Sequence, residues 1–250
     1  HFLPTKFLGK KISDVFPATV AKTIMRKVKI TIECGETRVF EYEISGKKTE
    51  HFETRIVRSG DYEVLAIIRN ITDRKLMEVQ LKHLSLHDSL TGLYNRAYFE
   101  EGLKRLEGSR SSSAGLMICD VDGLKIINDT LGHNIGDIIL KAVAAILKNS
   151  FHPEDLVARI GGDEFAALLP HNSLETFEAE GNKIRMQIEK HNLENPTFPI
   201  SLSIGFAVSA DTPIDINNLF KEADNNMYRE KLHRHKSGRS AIVQALMKAL

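Results

Sequence analysis

The chain has 250 residues, of which 42% are hydrophobic, and its 34 lysines and arginines nearly balance 33 aspartates and glutamates, for a net charge of +1. This composition excludes a wholly disordered chain and gives one large domain or two smaller ones, while the balanced charge disfavours nucleic acid as a partner. Two cysteines far apart in sequence exclude a disulfide framework and indicate a reducing, cytoplasmic compartment, and no apolar run approaches the ~18 residues of a membrane span, so no direct membrane insertion is expected.

The first part of the chain, residues 1–72, has a β-rich pattern. After helical apolar spacing at 20–29, apolar and polar residues alternate in three segments, 37–45, 51–58 and 62–72. Turn-forming residues at 46–48 and 59–61 separate these segments. Consecutive strands joined by short turns predict an antiparallel meander.

The character of the sequence changes at Asp73, because residues 73–86 contain neither glycine nor proline. Leu76, Val79, His83 and Leu86 follow a spacing of three and four residues, which predicts a helix with a narrow apolar seam. Two interpretations stay open: a short dimerising coiled coil, or a helix that packs on its own domain.

Helical and strand patterns alternate through residues 87–240, which predicts an α/β sheet of mixed strand direction. A loop is expected at 107–113. Predicted helices cover 95–107, 123–131, 136–150, 173–191 and 215–234, and predicted strands cover 114–120, a hairpin at 156–170, and 198–209.

Two acidic residues follow the predicted buried strand. Asp120 ends it and Asp122 comes two residues later. A carboxylate at the carboxyl end of a buried strand is positioned to reach a metal ion in the adjacent cleft. Since acidic residues are also common helix caps, Asp122 could equally cap the helix that follows.

The predicted hairpin has an unusual tip, Gly161-Gly162-Asp163-Glu164. An ordinary hairpin turn explains the two glycines. It does not explain two adjacent carboxylates, whose mutual repulsion a cation would relieve. Asp120 and Asp163 together would supply the oxygen ligands that Mg²⁺ prefers.

Three motifs in this order resemble the GGDEF family of diguanylate cyclases: HDSLTGLYNR at 87–96, DVDGLKIINDTLGHNIGD at 120–137 and RIGGDEF at 159–165. The resemblance covers about residues 87–240. It implies a mixed sheet wrapped by helices, similar to nucleotidyl cyclases and polymerase palms. It also implies condensation of two GTP molecules into cyclic di-GMP with release of two pyrophosphates.

The resemblance assigns the chemistry to named positions. Asp120, the carbonyl of Val121 and Asp163 match the family's metal ligands, for Mg²⁺ or Mn²⁺. Asp163 and Glu164 match its catalytic acids, and Glu164 is expected to assist metal binding or deprotonation of the attacking hydroxyl.

Asn128 and Asp137 match the residues that recognise guanine. A carboxylate accepts from the N1–H and N2–H₂ groups of guanine, which adenine lacks. From the residues alone, capping of adjacent short helices is an equal alternative for this pair.

The phosphate-binding positions match less well. The resemblance gives Leu124, Lys125 and Lys231, but the arginine that family members carry four residues after the lysine is His235 here. Arg234 lies on the same helical face as Lys231 and is the expected replacement, with Arg239 as the alternative.

A second departure concerns the inhibitory product site, which in many cyclases carries Arg-x-x-Asp before the hairpin. Here Asp155 is present but His152 replaces the arginine. We therefore expect weak product inhibition, unless Arg159 or Arg185 compensates.

Residues 1–72 resemble, more weakly, the later part of a PAS sensor domain without its first strands. The expected organisation is an antiparallel-sheet PAS fragment at 1–72, a signalling helix at 73–86, a GGDEF domain at 87–240 and a helical tail at 241–250, after which a further domain is an open question. His51 and Cys34 are set aside as cofactor ligands, because isolated examples are usually structural.

These observations lead to a Mg²⁺-dependent diguanylate cyclase that binds GTP and works as a homodimer under control of the PAS region. One alternative is a non-catalytic GTP-binding module that regulates an attached or partner phosphodiesterase. Another is a dimerisation adaptor, which would not need the guanine-recognising pair.

Overall fold

The computed structural model describes residues 8–107, 113–170, 174–209 and 214–249. The chain divides into two compact units, His1–Lys82 and His83–Leu250. The predicted loop at 107–113 lies largely outside the described residues. The predicted domain boundaries at 72, 86 and 240 stay predictions.

The first unit is a three-stranded antiparallel sheet covered by a helix. Its elements are α1 (Ile12–Val15), α2 (Ala18–Cys34), β1 (Arg38–Ile44), β2 (Glu50–Arg58) and β3 (Val64–Asn70), with strand order β1-β2-β3. Alternation places Phe52, Thr54 and Ile56 of β2 in the interior, where Phe52 stacks on Tyr42 with ring centroids 5.8 Å apart. The predicted meander is confirmed.

Helix α3 (Thr72–Leu86) confirms the predicted helix that follows the sheet. Arg74 and Lys75 in its first turn each bind Glu41 of β1, both at 2.7 Å. The helix, which lies wholly within the described residues, buries none of its side chains. Leu76 and Val79 of the predicted seam are 56% and 67% exposed, and the coiled coil stays a prediction.

The second unit is a five-stranded mixed sheet with helices on both faces. Its strands are β4 (Tyr94–Asn95), β5 (Ala114–Val121), β6 (Leu156–Arg159), β7 (Glu164–Pro170) and β8 (Leu202–Ser209). The strand order is β4-β6-β7-β5-β8, with β4 parallel to β6 and the other neighbours antiparallel. The predicted mixed sheet and its hairpin are confirmed.

Five helices accompany these strands within the described residues: α4 (Arg96–Glu107), α5 (Leu124–Leu131), α6 (His133–Ser150), α7 (Leu174–Glu194) and α8 (Ile216–Ala249). Side chains from α6 and α7 share one core with one face of β5, and side chains from α4 and α8 share a second core with its other face. Every residue of β5 is buried, as expected for a strand covered on both faces.

Two elements differ from expectation. Strand β8 begins at Leu202 rather than at 198, because the Asn192 side chain pairs with the backbone of Ile200, donating to its carbonyl at 2.8 Å and accepting from its N–H at 2.7 Å. Helix α8 continues through residues 235–240 to Ala249, so the predicted helix at 215–234 and the predicted helical tail form one helix.

Helix α8 approaches β8 most closely at Gly205. A Cβ atom at this position would meet the backbone of Met227 and of Ala223 in α8. The glycine therefore lets the helix backbone lie directly on the strand, one turn before Lys231 on the same helix.

Replacing Gly205 with alanine should lower the free energy of unfolding by about 1–3 kcal/mol, because backbone cannot move aside as a flexible side chain would. Urea unfolding followed by circular dichroism measures this change. Gly181→Ala in α7 is the matched control, since its Cβ would meet only the Arg185 side chain at 3.4 Å. Equal stability of the two variants would contradict the close contact.

Candidate active site

The site lies at the ends of β5 and β7, where two acidic residues meet. Asp120 on β5 pairs in register with Glu164 on β7, and the Val121 N–H donates to the Asp163 carbonyl at 2.9 Å. The β-hairpin thus returns its acidic tip to the end of the buried strand. The structure brings together Asp120, Val121, Asp163 and Glu164, as the sequence predicted.

Asp120 is a carboxylate inside the core, only 5% exposed. Burial raises its pKa, and the nearby Asp163 and Asp122 raise it further, while Lys231 opposes both effects. The Lys231 ammonium on α8 contacts the Asp120 carboxylate at 2.7 Å. Burial disfavours the charge on Lys231. The carboxylates of Asp120, Asp163 and Asp122 outweigh this effect and raise the pKa of Lys231.

The tip of the hairpin is fixed by Arg159, which sequence analysis considered only as a compensating residue for product binding. Its guanidinium donates to the Gly162 carbonyl at 2.6 Å and contacts the Asp88 carboxylate at 3.3 Å. Asp88 also accepts from the Thr91 backbone N–H and hydroxyl at 2.9 and 2.6 Å. Burial would raise the pKa of Asp88, but the Thr91 hydrogen bonds and Arg159 outweigh it and lower the pKa.

Asp88 and Thr91 were missed as individual positions by the sequence analysis. They lie in the segment HDSLTGLYNR, which served only as a motif of resemblance. The spacing Asp-x-x-Thr is a local signal for a turn, since an aspartate side chain accepts hydrogen bonds from the residues that follow it. The partner Arg159, 71 residues away, is not visible in that local pattern.

Asp122 does not cap the next helix, so that interpretation was wrong. The residue preceding α5 is Gly123, in a left-handed conformation (φ 72°), and it makes no side-chain capping bond. The Asp122 carboxylate instead accepts from the hydroxyls of Ser201 and Ser203, both at 2.7 Å.

Asn128 and Asp137 lie on the adjacent helices α5 and α6. Neither caps the start of α6, whose N-cap is Gly132 without a side-chain bond, so the capping alternative was wrong there. The Asn128 Oδ1 atom is buried and has no hydrogen-bond partner among the described residues. A Cβ atom at Gly136 would collide with this amide, so the glycine makes room for it beside Asp137.

The candidate phosphate-binding residues are divided between two elements. At the start of α5, Leu124 is buried and Lys125 is exposed. Lys231 of α8 contacts Asp120 of β5. Arg234 donates to Glu230 at 2.8 Å, and Glu230 also binds Arg185 of α7 at 2.8 Å. The side chains of His235 and Arg239 lie outside the described residues.

The segment matched to the inhibitory product site forms a tight turn. The His152 N–H donates to the Asp155 carboxylate at 2.8 Å, and the Asp155 N–H donates to the His152 carbonyl at 3.0 Å. Burial raises the pKa of Asp155. Arg159 and Arg185, the expected compensating residues, bind Asp88 and Glu230 instead.

The donor set fits a magnesium ion that keeps part of its coordination for water or substrate. The described residues contain no group of three or more His, Cys, Asp or Glu side chains arranged to hold a metal. They do place two carboxylates, Asp120 and Asp163, beside the main chain of Val121. Mg²⁺ typically takes one or two protein carboxylates and completes its shell with water and phosphate oxygens.

Removing the Lys231 charge should destabilise the metal-free protein, because it leaves the Asp120 carboxylate buried without its cation. Lys231→Met is expected to lower the free energy of unfolding by about 1–3 kcal/mol, and adding Asp120→Asn should recover most of that loss. Urea unfolding of the two single variants and the double variant measures the coupling.

Lys190→Met provides the control for this cycle, since Lys190 is an exposed lysine 4.0 Å from Glu194 on α7. Additive effects of Lys231→Met and Asp120→Asn would show that the ion pair contributes no coupling energy.

None of the helices among the described residues is both long enough and apolar enough to span a membrane.

The chain is similar to known proteins in sequence and in fold. The profile of the family described as "Diguanylate cyclase, GGDEF domain" matches residues 85–237.

Curated relatives agree with this match. The diguanylate cyclase DgcM of Escherichia coli K12 is 34% identical over 215 residues, covering 82% of this chain and 50% of the relative. The cyclic di-GMP phosphodiesterase PdeB of Shewanella oneidensis is 31% identical over 207 residues, covering 82% of this chain and 23% of the relative. The chain therefore spans half the length of the first relative and less than a quarter of the second.

Among solved structures, the coiled coil and GGDEF domain of DgcB from Caulobacter crescentus, in complex with c-di-GMP, matches with a TM-score of 0.59 and 26% identity. The alignment covers 65% of this chain and 89% of that one. Its mixed α/β fold corresponds to the second unit described above. The sequence match over more than half of the chain and the shared fold show that the chain belongs to the GGDEF family of diguanylate cyclases.

Proposed function

We propose that this chain is a diguanylate cyclase that condenses two GTP molecules into cyclic di-GMP and two pyrophosphates. The observation that supports this most directly is the buried Asp120 carboxylate, held beside the Asp163 turn and in contact with the Lys231 ammonium. Negative and positive groups concentrated at one strand end suit a substrate that arrives as a metal–triphosphate complex.

Asp120, Asp163 and the Val121 carbonyl would hold Mg²⁺ or Mn²⁺. When bound, such an ion neutralises phosphate charge and lowers the pKa of the attacking hydroxyl. The protein's own contribution is positional. The hairpin holds the Asp163 main chain against β5, Lys231 and the start of α5 would bind the phosphates, and Glu164 would accept a proton from the hydroxyl.

The base would be selected by Asn128 and Asp137. Asp137 would accept from the guanine N1–H and N2–H₂ groups, and Asn128, whose buried Oδ1 has no hydrogen-bond partner among the described residues, would serve the remaining edge of the base. Adenine presents no equivalent donor at N1, so ATP would leave the Asp137 carboxylate without this donor. Buried polar groups left unpaired discriminate strongly between substrates.

Each bond-forming step joins two active sites. The 3′-hydroxyl of one GTP attacks the α-phosphate of the other, a new phosphodiester bond forms, and the bond to the β-phosphate breaks to release pyrophosphate. The second half-reaction repeats this with the roles exchanged. One copy of the chain binds one GTP, so a symmetric homodimer completes the reaction.

The first unit would act as a PAS-like sensor fragment. Its three-stranded meander runs directly into α3, and Glu41 of the sheet holds Arg74 and Lys75 of that helix. A change in the sheet could therefore reach the helix through these ion pairs. The exposed Leu76 and Val79 provide an apolar seam for pairing with a second copy.

The alternative is a GTP-binding module that regulates a phosphodiesterase, and the similarity to PdeB gives it a specific basis. The acidic residues Asp120, Asp163 and Glu164 are all present here, which favours catalysis. The two functions differ in whether the chain forms cyclic di-GMP from GTP.

The deciding experiment incubates the purified chain with GTP and Mg²⁺ and measures cyclic di-GMP and pyrophosphate by chromatography. Asp163→Asn should reduce turnover at least tenfold, equivalent to ~1.4 kcal/mol of barrier, while circular dichroism stays unchanged. Asp129→Asn, an exposed aspartate on α5, serves as the control and should remain active. GTP binding without product would favour the regulatory module.

Gly136→Ala tests base recognition without changing either recognising residue. The added methyl group should displace the Asn128 amide and weaken binding of a non-hydrolysable GTP analogue about tenfold. Calorimetry measures the affinity, with Gly181→Ala as a matched helical control. Unchanged affinity in the Gly136 variant would argue against Asn128 as a guanine ligand.

A further inference from the structure

Asp122 differs from the other carboxylates of the site in what it contacts. Its side chain is 8% exposed, and each of its two oxygens accepts a serine hydroxyl, Oδ2 from Ser201 and Oδ1 from Ser203, at 2.7 Å. Its backbone N–H donates to the Ser201 carbonyl at 3.0 Å. Three bonds therefore join one residue to the chain at the start of β8.

The position of Asp122 in the chain gives these bonds their importance. It lies between Val121, whose carbonyl is a candidate metal ligand, and Gly123, whose left-handed conformation begins α5. The main chain is thus held from two sides. Val121 is bound to the Asp163 carbonyl of the hairpin, and Asp122 is bound to Ser201. A rotation at Asp122 would turn the Val121 carbonyl and tilt the first turn of α5.

The chemistry of the bonds indicates a positioning role. Both oxygens of the carboxylate are engaged by hydroxyl donors, one from Ser203 on β8 and one from Ser201 just before it, so the group is oriented by the chain at the start of this strand. Burying a carboxylate is unfavourable unless hydrogen bonds compensate. A hydrogen-bonded carboxylate at this buried position, where an apolar residue would otherwise pack, is suited to a site whose geometry must be fixed.

We propose that Asp122, held by Ser201 and Ser203, is a positioning residue that fixes the Val121 carbonyl and the first turn of α5 for a metal-bound triphosphate. Its carboxylate would act through the main chain, because each of its oxygens is engaged by a serine hydroxyl. The inference rests on the proposed function, because that function identifies the positioned atoms as metal and phosphate ligands.

The test removes the two hydroxyls and leaves the carboxylate in place. In the Ser201→Ala/Ser203→Ala double variant, amide hydrogen exchange across residues 121–125 should become about tenfold faster, because the turn loses its side-chain bonds. Calorimetry with Mg²⁺ and a non-hydrolysable GTP analogue should show about tenfold weaker binding. Ser150→Ala is the control, since this buried hydroxyl donates to the Ile146 carbonyl of its own helix.

Asp122→Asn provides the conservative variant. Its amide oxygen can accept from one serine while its NH₂ group donates to the other, whose hydroxyl can rotate to accept. It should therefore keep exchange and analogue binding closer to wild type than the double serine variant does. Asp122→Ala should lose both.

The outcomes separate this inference from the proposed function. Wild-type exchange in the double variant would overturn the inference, and so would faster exchange with unchanged analogue binding, since the bonds would then be structural only. Failure of the wild-type chain to form cyclic di-GMP would refute the proposed function, while the exchange measurement on the metal-free protein would still decide whether Asp122 fixes the turn.

Discussion

One ion pair, Asp120 with Lys231, organises the second unit. Strand β5 is covered on both faces, yet its next-to-last residue, Asp120, is a carboxylate that is almost completely removed from water. Desolvation makes such a group unfavourable without a positive partner. Lys231 supplies that partner from α8, and α8 reaches it because Gly205 lets the helix lie against β8. The packing of α8 on β8 therefore also determines the charge balance of the site, because it brings Lys231 to Asp120.

The hairpin meets a second requirement, which is to hold an acidic tip in one place. Adjacent carboxylates repel each other, and glycine restricts the backbone less than any other residue does. Arg159 limits this freedom, because its guanidinium binds the Gly162 carbonyl and is itself oriented by Asp88. This link ties the tip to the segment that follows α3.

The elements of the fold were largely predictable from sequence, because each depends on a local period. Three patterns are each visible within about ten to fifteen residues: the run without polar side chains at 114–119, the alternation on either side of Gly161-Gly162 and the helical spacing at 136–150. The same holds for the acidic residues of the site, since Asp120 lies one residue before the end of β5 and Asp163 lies directly before β7. The predicted start of β8 was wrong because the Asn192 side chain, rather than a neighbouring strand, binds the backbone of Ile200. The hydrophobic pattern of the sequence does not reveal such a contact.

The contacts that complete the site were not predictable from local patterns. Lys231 meets Asp120 across 111 residues, and Ser201 meets Asp122 across 79. Ser201 and Ser203 alternate with apolar residues like any polar positions of a strand, and nothing in the strand pattern distinguishes them. Their role follows only from sheet register, which pairs Asp120 with Ser203 and Val121 with Leu202. Resemblance to a family gave the candidate ligands, but the structure was needed to find what holds them.

Helix α5 connects the two ends of the proposed substrate. Leu124 and Asn128 are four residues apart, so they lie on one face and are separated by about 6 Å along the axis. In the proposed function, Leu124 would lie at the phosphate end and Asn128 at the base end. The residue two positions before the helix, Asp122, is bound to Ser201 and Ser203, and the Asn128 side chain lies beside Gly136 of α6. Because a short helix is stiff, fixing both of its ends would set the distance between the residue that binds phosphate and the residue that binds the base. The length of α5 would thus match the length of the nucleotide.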